Sequence, residues 1–206
     1  MRLPKILFFL LLGLACWARS RPWSHWMTDC EVQAPRRSGS LIVFPLIGSS
    51  ESLPRCRSLD SALMQEELRV REIREEGDVN RLVVENCGER PVFIMAGEIL
   101  KGARQDRVLK HDLWLPPESG EITVAVYCVE RGRWGYKGDK RKFDSSGSIS
   151  NVRVRQAAMS EGGQRAVWDS VAETQKANGV TSASGALLVV YEDGRLSRRL
   201  DSMVSD

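Results

Sequence analysis

Ile122-Thr-Val-Ala-Val-Tyr-Cys128 alternates in character with a period of two, so that Ile122, Val124, Val126 and Cys128 fall on one apolar face. That is the signature of a half-buried β-strand, and the neighbouring sequence repeats it. Asn80-Arg-Leu-Val-Val-Glu-Asn-Cys87 reads as a strand, and Val92-Phe-Ile-Met95 is continuous enough to predict burial on both faces. Gln105 to Lys110 and Leu113 to Leu115 supply further strands. The turns Glu75-Glu-Gly-Asp78, Gly88-Glu-Arg-Pro91 and Pro116-Pro-Glu-Ser-Gly120 separate them. Leu68, Val70 and Glu72 alternate with Arg69, Arg71 and Ile73, an imperfect strand signal. Leu41-Ile-Val-Phe-Pro-Leu-Ile47 predicts a buried strand that Pro45 places at an edge or a bend. Ala186-Leu-Leu-Val-Val-Tyr191 predicts one more buried strand, ending at the Glu192-Asp-Gly194 turn.

Two helices interrupt this pattern. Ser58 to Glu67 carries a cap at Ser58 or Asp60 with Leu59, Ala62 and Leu63 on one side. From about Gly162 to Ala177, Val167, Val171 and Thr174 lie near one line, Trp168 reads as the core anchor, and Asn178-Gly179 is the stop. Ser145-Ser-Gly-Ser-Ile-Ser150 has the composition of a mobile loop. The fold class expected is α+β, mainly an antiparallel β-sandwich or partial barrel with one or two packed helices. Residues 41–194 form the domain, after an irregular lead-in over 21–40 and before a polar tail over 195–206.

The N-terminus opens on Met-Arg-Leu-Pro-Lys and a short apolar run, Ile6 to Ala15. This reads as a signal peptide over residues 1–20, with small residues at Cys16, Ala18 and Ser20 for cleavage, and it predicts a periplasmic or extracellular protein with no membrane span after processing. A lipid anchor at Cys16 is disfavoured by Gly13, where a branched apolar residue is usual. Removing the leader takes Arg2, Lys5 and Arg19, so Lys+Arg falls from 30 to 27 against 27 Asp+Glu. A nearly neutral mature chain gives no case for nucleic acid as a general partner. Cys30, Cys56, Cys87 and Cys128 remain, an even count suited to an oxidising compartment. Of the three pairings, Cys30 with Cys56 is the bond expected, leaving Cys128 as a buried thiol.

Chemistry, if present, is expected between Gly97 and Trp134, where polar residues stand at strand ends beside glycines. Gln105 and Arg107 share parity along a strand and so point one way. Arg133 and Trp134 pair charge with a flat ring, which suits an anionic or polar ligand. Glu98 and Glu130, if brought together, would divide general-acid and general-base roles in a hydrolysis. The plain alternative pairs each glutamate with an arginine such as Arg107 or Arg131. His25 and His111 lack a Cys or an acid at ligand spacing, and no cofactor or metal is expected.

Val79-Asn80-Arg-Leu-Val-Val-Glu-Asn86, Gly97-Glu98-Ile-Leu-Lys-Gly102-Ala-Arg-Gln105-Asp-Arg107, Cys128-Val-Glu130-Arg-Gly132-Arg133-Trp134 and Gln164-Arg-Ala-Val167-Trp168 occur in order. The series resembles the ARG and rhodanese-phosphatase-superfamily-associated protein domain family, over roughly Leu41 to Tyr191. The family carries no assigned activity. Its association with ADP-ribosylglycohydrolase and phosphatase-type proteins implies phosphorylated or ADP-ribose-like ligands. The resemblance places Glu98, Gln105, Arg107, Glu130, Arg133 and Trp134 at its motif positions, and Arg131 where a glutamine is expected. The leading expectation is therefore an exported β-rich domain that binds an anionic or polar ligand through Gln105, Arg107, Glu130, Arg133 and Trp134. A hydrolase using Glu98 or Glu130, and a structural or protein-interaction domain, are the alternatives.

Overall fold

The computed structural model describes residues 30–48, 55–136 and 142–205, and the chain divides between residues 53 and 54 into two units. The leader expected over residues 1–20 lies outside the described residues. In the first unit, β1 (Cys30–Val32) pairs with β4 (Leu46–Gly48), and β2 (Arg36–Ser38) with β3 (Leu41–Val43), both antiparallel. Part of the expected irregular lead-in is thus strand. The expected buried strand over Leu41 to Ile47 is instead two short ones, whose Leu41, Ile42, Val43, Phe44, Leu46 and Ile47 are 41–57% exposed. Pro45 lacks the N–H a ladder needs, so the run breaks there, and a two-stranded ribbon has no second layer of its own to bury its side chains.

The second unit runs β5 (Arg57–Ser58), α1 (Leu59–Met64), β6 (Leu68–Glu72), β7 (Arg81–Asn86), β8 (Val92–Ile94), β9 (Glu98–Gly102), β10 (Arg107–Leu109), β11 (Leu113–Leu115), β12 (Gly120–Cys128), β13 (Phe143–Ile149), α2 (Val152–Met159), α3 (Gly163–Asn178), α4 (Leu188–Glu192) and α5 (Gly194–Ser205). Six strands form a curled antiparallel half-barrel in the order β13-β9-β10-β12-β7-β6. A smaller sheet, β11-β8-β5, pairs β5 parallel to β8. The α+β, mainly antiparallel class read from the strand spacing is the one observed.

Side-chain parity builds the layers. Along β9 and β10, Leu100 and Leu109 point into one core with Leu82, Val84, Val124 and Val126 of the same sheet, Val92, Ile94 and Leu115 of the small sheet, and Leu59 and Ala62 of α1. Their chain neighbours Ile99 and Val108 point the other way, into a second core with Val154 and Ala158 of α2, Val167 and Val171 of α3, and Leu187 and Leu188. The middle of the sheet is therefore buried on both faces, while Thr123 and Ala125 on the far side of β12 stay exposed. Ser58 caps α1 as expected, its hydroxyl accepting from the Ser61 amide at 3.3 Å. Gly179, at φ +63°, ends α3 where the Asn-Gly stop was read.

Four other readings need correction. Ala186 to Tyr191 is not a strand: Ala186 makes a single bridge to Glu130, and α4 follows, because a short apolar run buried on all sides looks the same in either conformation. The serine-rich stretch over 145–150 is mostly β13, with a register shift between Ser145 and Ile149 that absorbs Gly147. Phe93 is 36% exposed beside Val92 and Ile94 at 0%, so β8 buries one face only. The polar tail begins as α5, capped by Asp193, whose carboxylate accepts from the Arg195 amide and side chain at 2.9 Å. That contact holds the Asp193 carboxyl down at about 2. One helix, α2, had gone unread despite its cap: Asn151 accepts from the amides of Arg153 and Val154.

The expected Cys30–Cys56 bond would join the two units, and within the second unit Cys56 and Cys87 are exposed. Cys128 is buried, as expected, and burial pushes its thiol up from the ordinary value. Among the described residues no helix is long and apolar enough to cross a membrane.

Candidate functional site

Two connections carry the motif residues to one place: the turn from β9 into β10 (Gly102 to Asp106) and the segment leaving β12 (Val129 to Tyr136). β10 pairs with β12 so that Arg107 lies opposite Cys128, which sets Gln105 beside Glu130. Gln105 donates through Nε2 to the Glu130 carbonyl at 3.1 Å and accepts at Oε1 from Arg107 Nη1 at 3.0 Å. The shared parity read for Gln105 and Arg107 thus ends in a direct contact between them. Trp134 lies over Arg107, its ring centroid 5.8 Å from the guanidinium carbon, with Arg104 at 5.7 Å from the same ring. Gln105, Arg107, Glu130, Arg133 and Trp134 therefore converge.

They converge inside the protein, however, more than on its surface. Arg107 is 0% exposed, Gln105 4% and Glu130 5%; Trp134, at 48%, reaches solvent. Arg133 is a clamp. Its Nε and Nη2 grip Glu130 Oε2 at 2.7 and 2.6 Å, and Nη2 also reaches Asp106 Oδ1 at 3.2 Å. Its Nη1 donates to the carbonyls of Ala103 and Gly135 at 2.7 and 2.9 Å. A guanidinium has five N–H groups, and these partners engage them from every side. The clamp holds a strained turn: Gly102 sits at φ +112° and Ala103, a residue with a side chain, at +41°.

Glu130 does pair with an arginine, but with Arg133 and not with Arg107 or Arg131. Arg131 instead stacks on Trp168, 5.1 Å from the ring, and Trp168 is only half-buried while Val167 anchors the helix. Glu98 lies elsewhere. Its Oε2 accepts from the Met95 amide at 2.8 Å, and it shares no partner with Glu130 among the described residues, so the two carboxylates form no acid–base pair. Burial holds the Glu98 carboxyl above the ordinary value of 4.5, and the Asp60 carboxylate adds to that, against the Met95 hydrogen bond. A raised carboxyl in the folded state stabilises fully below the unfolded value, and that contribution is lost as pH rises through the folded value. Glu98→Gln, which keeps an acceptor for Met95, is therefore expected to gain stability relative to wild type between about pH 4 and about pH 7. Thermal melts at both pH values check this; a difference that does not change between them counts against it.

A pocket of about 520 Å³ opens beside the clamp. Among the described residues, Asp106, Glu130, Asp144 and Glu192 contribute four carboxylates to its lining, Lys101 one ammonium, and Ser182 and Ser184 hydroxyls, with Leu188 and Val189 as apolar wall. Ser184 donates to Glu130 Oε1 at 3.1 Å. The segment carrying Ser184 is held against Gly132, whose amide donates to the Ser184 carbonyl at 2.7 Å; a Cβ at Gly132 would meet Ser184 Cα at 2.9 Å. A larger groove of about 830 Å³ along α2 and α3, lined by Asn151, Arg153 and Glu173 among others, includes none of the motif residues. Among the described residues no three His, Cys, Asp or Glu side chains gather to hold a metal ion.

A family model matches residues 29–206: the ARG and Rhodanese-Phosphatase-superfamily-associated Protein domain, ARPP-1. The chain belongs to the ARPP-1 family. No curated protein and no solved structure matches it. The ARPP-1 match embraces both units and reaches α5, beyond the span over which the motifs were read. Within this ARPP-1 domain, sequence reasoning missed Asp106, Ser184 and Glu72. It also missed the role of Gln164, whose side-chain amide exchanges two 2.8 Å hydrogen bonds with the backbone of Cys128, standing in for a further strand. For Glu72 the signal was present, an acid on the Leu68–Val70 face of a strand. For Ser184 there was none, since only folding brings residues 54 apart together.

Proposed function

We propose that this ARPP-1 domain is an exported binding module that takes a small polar ligand, rich in hydroxyl or ammonium donors, in the pocket beside Glu130 and Ser184. One observation carries the reading: among the described residues the pocket's lining presents four carboxylates against one lysine, while Arg133, which holds two of those carboxylates, is engaged on every side. A phosphorylated or ADP-ribose-like ligand would meet like charge there with Lys101 as its counterion, whereas an amine or polyol finds acceptors already oriented by the clamp. Export rests on the basic and apolar pattern of residues 1–20.

Thermal-shift and calorimetric titration of the full chain with diamines, amino sugars, polyols, nucleotides and sugar phosphates tests this. Binding is expected within the first three classes. Ser184→Ala, which removes one hydroxyl without touching the clamp arginine, is expected to weaken it by roughly fivefold, the worth of about one hydrogen bond. Binding confined to the phosphorylated compounds reverses the assignment. The half-buried Glu98, with its raised carboxyl, favours a second reading as general acid in a hydrolysis. Turnover that survives Glu98→Gln in a folded protein removes that reading.

A further inference from the structure

At the end of the network away from the pocket, two charged side chains are buried and left short of partners. Arg107 is wholly buried; Nη1 donates to Gln105, but neither Nε nor Nη2 has a hydrogen-bond partner. The Glu72 side chain is 6% exposed, and neither of its carboxylate oxygens accepts a hydrogen bond. The amides of Asp78 and Arg104 face that carboxylate without closing on it. Glu72 Oε1 stops 3.9 Å from Arg107 Nη2.

An arginine and a carboxylate that serve only as a buried ion pair close to about 2.8 Å, commonly through both nitrogens of one edge of the guanidinium. The fold prevents that closure here. Arg107 is fixed on β10 by Gln105 and by the Trp134 ring stacked over it, and Glu72 ends β6, three strands away in the sheet. In a flat sheet those strands would be about 14 Å apart. The curl of the half-barrel brings the side chains towards each other across its concave face and leaves them just short of contact. Buried polar atoms without partners bear the full cost of desolvation, so four of them on two side chains that approach to 3.9 Å call for a partner there.

We infer that the Glu72–Arg107 pair is a recognition site for a small neutral guest carrying a carbonyl and an N–H on one edge, as a lactam or a carboxamide does. The unpartnered Nε/Nη2 edge offers two parallel donors to the carbonyl, and Glu72 offers the acceptor for the N–H. A charged guest of either sign would face its like in Glu72 or Arg107, which selects neutrality. A guest bonded in the plane of the guanidinium extends beneath the indole already stacked on Arg107, so a flat one gains ring contact with Trp134, the solvent-facing member of the group. Gln105 separates this place from the pocket beside Glu130, and the inference stands apart from the function proposed there.

Saturation-transfer NMR on the full chain with hydantoin, its N,N′-dimethyl derivative and benzamide tests it; the last distinguishes an open carboxamide from a ring lactam. Hydantoin or benzamide is expected to bind, and the dimethyl compound, which keeps the carbonyls and lacks N–H, to bind at least about tenfold more weakly, as loss of one charge-assisted hydrogen bond requires. Glu72→Met should abolish the preference. Should that variant fail to fold, Trp134→Ala, at a half-exposed position, should weaken hydantoin while leaving the N–H preference intact. Equal binding of hydantoin and its dimethyl derivative overturns the inference. So does a crystal structure grown with hydantoin in which Glu72 and Arg107 close directly, or hold only an ordered water.

Discussion

Arg133→Met loses about 3–5 kcal/mol of unfolding free energy in urea at neutral pH, the range for removing one partner of a buried charge network. The side chains of Glu130 and Asp106, 7% and 11% exposed, lose their common counterion. The carbonyls of Ala103 and Gly135 lose the donor that satisfies them. Arg133→Lys recovers part of this at most, because an ammonium has three donors on one point where the guanidinium spreads five over a plane. Adding Glu130→Gln to Arg133→Met is expected to cost less than the sum of the single changes, since the second removes a charge the first has already stranded. A loss below about 1 kcal/mol for Arg133→Met would place the network in the range of surface ion pairs and end its description as a clamp.

Gly102→Ala is expected to destabilise by about 2–5 kcal/mol, from two causes that act together. A φ of +112° lies outside the left-handed basin that an L-residue visits even at a cost, and a Cβ there would stand 2.7 Å from the Lys142 carbonyl oxygen. That oxygen is backbone, fixed by the β9–β13 pairing and by the Ala103 amide at 3.2 Å, so it has no rotamer with which to yield. Gly147→Ala is the control. It also has positive φ, +67°, but nothing within 4 Å of the added methyl, so its cost should stay near 1–2 kcal/mol. Denaturant midpoints for the two variants compare them directly. Equal losses would mean that the dihedral angle alone sets the effect and that the close approach to Lys142 is not limiting. Because Gly102 begins the turn whose carbonyls Arg133 holds, Gly102→Ala and Arg133→Met should also couple.

Where one-dimensional spacing contains the physics, the sequence was legible. The alternation along β12 placed Val124, Val126 and Cys128 on the buried face and Thr123 and Ala125 outside, because successive side chains on a strand must point to opposite sides. The line Val167, Val171 and Thr174 gave the buried face of α3, and Ser58 gave the cap of α1. The ordered motifs placed the chain in its family, and the parity shared by Gln105 and Arg107 set them on one side of the strand, where they meet each other. The readings that failed depend on what surrounds a segment. Leu41 to Ile47 is as apolar as a core strand yet lies exposed, and Ala186 to Tyr191 is equally apolar yet turns helical.

Tertiary structure alone decided the electrostatics. Whether Arg133 receives a ligand or locks a turn depends on which carbonyls lie within 3 Å of its nitrogens, and those of Ala103 and Gly135 come from the segments entering β10 and leaving β12, which pair with each other. Composition fixed the charges, but the curl of the sheet set their distances. Coulomb and hydrogen-bond energies fall away within a few ångströms, so the same Glu72 and Arg107 would be remote in a flat sheet and stand 3.9 Å apart in this one. Periodicity determines which way a side chain points, and only the folded chain determines what it meets.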